Sequence, residues 1–180
     1  MSYHLLNVSY KFLNDNDLKK IIFEDNIFNK LDQLNCSGNQ IKNLDNLPSS
    51  IIKLDCSVNQ IIGLDNLPSS IIKLNCSRNQ IKNLDNLPSS MIELNCSGNQ
   101  IKNLDNLPNS VKYLDCSGNI MISLNNLSSS LNYLNCSNNL IENLDNLPYE
   151  LNHICIYGCP LDNIKLRNKH RGKICVQVHY

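Results

Sequence analysis

Leu54-Asp55-Cys56-Ser57-Val58-Asn59-Gln60-Ile61 is followed, twenty residues later, by Leu74-Asn75-Cys76-Ser77-Arg78-Asn79-Gln80-Ile81. The same phrase recurs so that its cysteine falls at Cys36, Cys56, Cys76, Cys96, Cys116 and Cys136, with no slip in the spacing. A strict period of about 20 residues, apolar at fixed phases, is the mark of a solenoid whose units cannot bury a core alone and must stack. Strand-phase residues Leu31, Ile51, Ile71, Met91, Val111, Leu131 and Leu151 define seven rungs. Within a rung the first, fourth, sixth and eleventh positions are apolar, as in Ile71, Leu74, Cys76 and Ile81, with Leu84 and Leu87 following on the return side. These side chains should point inward from parallel strands stacked roughly 4.8 Å apart, giving a sheet on the order of 30 Å tall.

The ninth position is Asn39, Asn59, Asn79, Asn99, Asn119 and Asn139. There the chain turns off the strand and strands backbone groups without ladder partners. An inward amide donates and accepts together, so these asparagines read as a structural ladder. The cysteine column reads as a small-residue substitute for leucine, since free cysteine packs as a hydrophobe. Parallel in-register side chains do not meet at a disulfide angle. The return side, Leu84 to Ser90 in one rung, carries a proline that removes a donor and favours an extended, polyproline-like path. Its recurrent Asp45, Asp65, Asp85, Asp105 and Asp145 could attract a cation, but hydrogen bonding within the turns with the following asparagine is simpler.

The pattern drifts toward one end. Ser128 replaces the proline and Asn125 the aspartate of the sixth rung, and Ile120-Met121-Ile122 replaces Gln-Ile-Lys in the fifth. In the seventh, Ile156 takes the cysteine slot and Cys159 the asparagine slot. Residues 1–30 form an N-terminal cap, 31–164 the repeats, and 165–180 a basic cap or tail. Asn14-Asp15-Asn16-Asp17 caps a short helix over Leu18 to Phe23, acidic in its first turn, and Tyr3 to Phe12 joins that cap. Asp25-Asn26-Ile27 already keeps the repeat register. Ile174 to Val178 alternates like a closing strand. The architecture is an α/β-solenoid, mostly parallel β.

The phrase Leu-x-x-Leu-x-Cys-Ser-x-Asn-Gln-Ile-x-x-Leu-Asp-Asn-Leu-Pro-x-Ser, over roughly residues 25–164, resembles the short leucine-rich-repeat proteins. Its length and Leu-Pro-x-Ser wording are similar to bacterial type III effector repeats, and its asparagine-rich Cys-Ser-x-Asn flavour to giant-virus repeats. The resemblance implies a protein-interaction module. Some effectors of this type carry a ubiquitin-ligase domain after the repeats; the roughly fifteen residues present here are too few for one. An N-terminal recruiting box for ligase machinery is the alternative role, though the segment is short for that and lacks a leading Leu-Pro.

Charge is balanced, 16 basic against 16 acidic residues, which gives no broad electrostatic reason to expect nucleic acid. No apolar run reaches the roughly 18 residues of a membrane span, and the start lacks a secretory leader. Nine cysteines at largely one phase read as a reduced, intracellular, cytoplasmic protein, in the host cytoplasm if viral. A monomer binding one protein partner is expected. No phosphate loop, nucleophile elbow or carboxylate cluster outside the repeat phase offers catalysis, and no cofactor is implied.

Candidate contact residues are the outward third and fifth positions of each strand. The third reads Gln33, Lys53, Lys73, Glu93, Tyr113, Tyr133, His153; the fifth reads Asn35, Asp55, Asn75, Asn95, Asp115, Asn135, Cys155. Tyr113, Tyr133 and His153, with Lys53, Lys73, Glu93 and Asp115, make a concave contact surface, against the plainer reading of cross-strand pairs that steady the sheet. Ile52, Ile72 and Ile92 form a second-position strip, partly covered where the chain enters the strand. His153, Cys155, Cys159, His170 and Cys175 invite a zinc reading, but Cys159 should turn inward and away from the outward pair, so no metal is expected. Lys165, Arg167, Lys169, Arg171 and Lys173 read as a solvated edge guard or, alternatively, a phosphate-attracting run.

Overall fold

Inward residues at one fixed phase produce one continuous sheet. The computed structural model describes residues 4–24, 30–161 and 175–177. Nine strands lie in sequence order, each parallel to the next. The repeat strands are β2 (Leu31–Asn35), β3 (Lys53–Asp55), β4 (Lys73–Asn75), β5 (Glu93–Asn95), β6 (Tyr113–Asp115), β7 (Tyr133–Asn135) and β8 (His153–Cys155). They are flanked by β1 (His4–Asn7) and β9 (Cys175–Gln177). From β2 to β8 the pairing advances by one period per step: Gln33 faces Lys53, then Lys73, Glu93, Tyr113, Tyr133 and His153. Equal phases therefore stack as columns, and seven rungs stand as read from the spacing. The inward leucines, isoleucines and cysteines make a single core running the length of the stack.

The asparagine column does what its amide chemistry requires. Asn79 Nδ2 donates to the carbonyls of Cys56, Cys76 and Ser77 at 3.0–3.2 Å, while its Oδ1 accepts from Ile61 N at 2.9 Å. Each such amide closes its own turn and binds the rung before it. On the return side the chain is extended between two turns, and Asn46, Asn66, Asn86 and Asn126 take positive φ there. The aspartate column is a ladder between rungs: Asp45 accepts from Asn66, Asp65 from Asn86, Asp85 from Asn106 and Asp105 from Asn126. Asparagine therefore pairs with the aspartate of the preceding rung and not the one beside it in sequence. Where Ser128 replaces proline it is fully buried, its hydroxyl donating to Asn109 O at 2.7 Å.

The stretch read as joining the N-terminal cap, Tyr3 to Phe12, takes part in it from His4 onward as a strand and a turn. His4–Asn7 is a strand, β1, pairing with β2 through a bulge at His4/Leu5. Its continuation mimics a rung: Val8 N donates to Asn35 O, Tyr10 N to Ser37 O, and Gln40 N to Leu13 O. Asn39 Oδ1 takes Lys11 N and Leu13 N, so the ladder has a further step. Leu6-Asn7-Val8-Ser9 indeed reproduces Leu34-Asn35-Cys36-Ser37, and Ser9 bonds Asn7 as Ser37 bonds Asn35. The offset is 28 residues because helix α1 (Asp15–Glu24) stands in this unit. Asn14 caps it: its Oδ1 accepts from Asp17 N, and Asp17 Oδ2 accepts from Asn14 N. Leu18 and Ile22 enter the core, and Asp15 fastens the helix to Lys42 N and Asn43 N on the first return side. The register reading of Asp25-Asn26-Ile27, and the basic run from Lys165 to Lys173, lie outside the described residues.

The eighth position of each turn has positive φ whatever residue it holds: Gly38, Val58, Arg78, Gly98, Gly118, Asn138 and Gly158. At Gly38 a second demand is added, because a Cβ would sit 2.4 Å from the Tyr10 ring. Gly38→Ala is expected to cost about 2 kcal/mol, the left-handed backbone contributing roughly 1 and the displaced ring the rest. Urea unfolding of Gly38→Ala, Tyr10→Ala and the double variant measures the coupling. Additive losses would show that the ring does not rest on Gly38.

Candidate concave binding face

Side chains alternate across a strand, so with position four inward, positions three and five must face outward together. Both columns line the concave surface. A groove of about 610 Å³ runs along it from Leu5 to Tyr133. Column five is half-buried throughout, and its first duty is local. Asp55 Oδ1 accepts from Ser57 N and Oγ, and Oδ2 from Asn75 Nδ2; Asp115 does the same with Ser117 and Asn135. Asp115 thus meets a partner with its carboxylate already engaged.

Column three is freer and differs along its length. Lys53 is exposed. Lys73 Nζ lies 2.5 Å from Glu93 Oε1, both side chains more than 40% exposed. A pair so open to solvent stabilises the fold by at most about 1 kcal/mol. Tyr113 stands 48% exposed. Tyr133 leans toward the last rung, its ring centroid 6.4 Å from that of His153 and tilted by 39°. Its hydroxyl is 3.7 Å from Cys155 Sγ, a contact that, with partial burial, pushes the phenol up to about 12. Tyr113, Tyr133 and His153 are consecutive partners across β6, β7 and β8, so the three residues singled out from the sequence share one patch. Ile52, Ile72 and Ile92 border the face: Ile72 is 37% exposed and the other two half-buried, as expected at the entry to the strand.

The cysteine column lies on the opposite side of the sheet. Cys36, Cys56, Cys76, Cys96, Cys116 and Cys136 are free thiols and buried. Burial pushes Cys36 and Cys76 up to about 12 and raises Cys56, Cys96 and Cys116 well above the ordinary value; Cys136 is raised as well, by its interaction with Cys159 first and by burial second. Cys159, in the asparagine slot, turns inward as expected. Its Sγ donates to Cys136 O at 3.2 Å, as an asparagine there would. It therefore parts from His153 and Cys155, and among the described side chains no three His, Cys, Asp or Glu are grouped to hold a metal. His170 lies outside the described residues. No described helix is long and apolar enough to cross a membrane.

A parallel sheet of register-locked rungs, an asparagine ladder closing each turn and an open concave face together define a leucine-rich-repeat solenoid, and this chain is one, with rungs of twenty residues. Among solved structures it is similar to the leucine-rich-repeat domain of a Shigella effector, at 26% identity over 97% of this chain and 80% of that one, with a TM-score of 0.77. Internalin C2 of Listeria monocytogenes shares the fold at TM-score 0.82 and 21% identity, covering 97% and 80% of the two chains. The functional domain of InlJ from the same species, described as including a cysteine ladder, superposes at 0.69 with 24% identity, over 97% of this chain and 43% of that one. No family model matches the sequence. No curated protein matches it either.

Proposed function

We propose that this protein is a non-catalytic binding module that holds a protein partner along its concave face, with Tyr113, Tyr133 and His153 as the principal contacts. One observation carries the reading. The groove is preformed, and the column-three side chains that line it leave the core and the ladders intact, so they are available to a partner. Tyrosines supply large contact area with a polar tip at little entropic cost, which is why they anchor interfaces. Lys53, Lys73 and Glu93 extend the face as a mixed-charge flank that favours register and selectivity over affinity. A monomer in the cytoplasm fits this use. The recruiting role considered for the N-terminal segment draws no support from it, because β1 and α1 are occupied in closing the end of the stack.

Tyr113→Ser combined with Tyr133→Ser tests the proposal. Loss of two interface anchors is expected to weaken partner binding by about 30-fold or more, equivalent to about 2 kcal/mol. Circular dichroism and melting should stay near wild type, since an exposed cross-strand pair contributes under about 1 kcal/mol to the fold. Lys102→Ser, exposed and outside the groove lining, serves as the control. An unchanged set of captured proteins, with the double variant folded, would overturn the assignment of the patch.

A further inference from the structure

Positions ten and twelve of a rung stand at the surface on either side of the inward eleventh residue, on the flank that follows the turn. The fold asks little of them. Position ten reads Gln40, Gln60, Gln80 and Gln100 in the first four rungs, and position twelve reads Lys42, Ile62, Lys82 and Lys102. In rungs five and six three of these places turn apolar together: Ile120 is 42% exposed, Ile122 66% and Leu140 53%. Their eleventh-position neighbours Met121 and Ile141 have no solvent exposure, so no register slip has carried core residues outward. The rungs are locked at this flank. Ile120 N donates to Ile101 O at 3.1 Å and Leu140 N to Met121 O at 2.8 Å, while Asn119 and Asn139 Oδ1 accept from Ile101 N and Met121 N. Ile120 and Leu140 therefore stack one above the other, and Ile122 lies beside Ile120 across Met121. A single exposed isoleucine such as Ile62 needs no explanation, but a contiguous cluster of large apolar side chains marks an interaction surface. Charge brackets this one: column twelve runs Lys102, Ile122, Glu142, and both charged residues are exposed.

We propose that this flank is a self-association surface whose occupant is the same flank of a second copy of the chain, the two stacks running antiparallel. Column twelve carries the argument. A two-fold axis that lies in the contact and crosses the stacks at rung five brings rung four of one copy onto rung six of the other. Lys102 then faces the partner's Glu142, Glu142 faces the partner's Lys102, and Ile120 and Ile122 each meet their own counterparts. Leu140 comes over the aliphatic stem of the partner's Gln100. An axis running along column twelve would instead set Lys102 against Lys102 and Glu142 against Glu142, so the charges select the antiparallel arrangement. The apolar centre is small, on the order of 300 Å² against about 800 Å² per copy in a stable interface. Pairing is therefore reversible and concentration-dependent, with a dissociation constant on the order of 1–100 μM. None of Lys102, Ile120, Ile122, Leu140 or Glu142 lines the concave groove, so paired copies keep both grooves open. One copy suffices at the concave face, and the pairing does not depend on what that face binds.

Sedimentation velocity of the full-length protein over a concentration series gives the test. The average mass should climb from monomer toward dimer as the concentration passes through about 1–100 μM. Ile122→Glu should remove the association. Lys102→Glu and Glu142→Lys should each weaken it at least about tenfold, by setting like charges across the axis. Lys102→Ser should weaken it less, since it removes an attraction without adding a repulsion. The two charge reversals mixed in equal amounts should associate where neither does alone, and the double reversal should restore wild-type behaviour. Lys102, Ile122 and Glu142 are all exposed, so circular dichroism and melting of every variant should stay near wild type. Tyr113→Ser combined with Tyr133→Ser should leave the self-association unchanged, which separates this surface from the concave one. A wild type that stays monomeric to about 1 mM, an association that survives Ile122→Glu, or charge reversals that fail to rescue one another would each overturn the proposal. A monomer from which Ile122→Glu removes a captured protein would give the patch to a different partner and overturn it equally.

Discussion

Asn99→Ala should lower the unfolding free energy by about 4 kcal/mol, a large part of the roughly 5–15 kcal/mol that holds a typical domain. Its amide nitrogen serves three carbonyls, Cys76, Cys96 and Ser97, and its oxygen takes the N–H of Ile81, a residue with no solvent exposure. Alanine leaves these backbone groups buried and unpaired, and an orphaned buried polar group costs about 1–3 kcal/mol. Asn99→Asp separates shape from chemistry. It keeps the acceptor for Ile81 but sets a carboxylate against the carbonyls of Cys76 and Cys96, and should be at least as damaging as alanine. Urea unfolding followed by circular dichroism measures both. A loss below 1 kcal/mol for Asn99→Ala would mean that water replaces the amide and that the ladder is not the closure it is argued to be.

The second large effect is alkaline unfolding. A buried thiol with its pKa raised keeps its proton in the fold to about pH 12, while the unfolded chain releases it near 9. The unfolded state then binds fewer protons, so stability is full below pH 9 and falls as pH rises toward the folded value. Each thiol contributes a slope of about 1.4 kcal/mol per pH unit, and the six together about 8. A protein of ordinary stability should therefore unfold within roughly two units above pH 9. Cys159 runs the other way: its lowered value adds stability between about 7 and 9. Cys56→Ala with Cys76→Ala weakens the protein at neutral pH but should reduce the alkaline slope by about a third. A slope unchanged in that variant would assign the transition to other groups.

Burial explains which features could be read from the sequence. Positions one, four, six, nine and eleven each answer to the interior, so their identities repeat, and the rungs, the asparagine ladder and the inward cysteines follow from spacing. Leu6-Asn7-Val8-Ser9 lies off the period, because α1 stretches its interval to 28 residues. The cross-rung partner of each aspartate was hidden as well. Spacing alone does not distinguish the neighbour in sequence from the neighbour in the stack. Column three was legible as a surface, yet the fold places almost no demand on Lys53, Glu93 or Tyr113, so their chemistry is free to follow a partner. The bond from Cys159 Sγ to the carbonyl of Cys136 depends on a ninth-position side chain reaching the previous rung, which becomes visible only when the ladder geometry is known.

The columns have one more consequence, for how such a chain can change. Asparagine, serine, cysteine and aspartate ladders all close by reaching one whole unit forward or back. Inserting twenty residues between any two rungs leaves every ladder complete and lengthens the groove by one strand. Inserting a single residue within the Leu-x-Cys-x-x-Asn phrase breaks the cysteine and asparagine columns there and turns an inward side chain outward. Growth by duplicating whole rungs is therefore nearly free of structural cost, while drift within a rung falls on outward positions such as Ile120 or, at inward ones, on residues such as Ser128 and Cys159 that make a backbone bond of their own. The drift seen from the fifth rung onward concentrates such changes at one end of the stack.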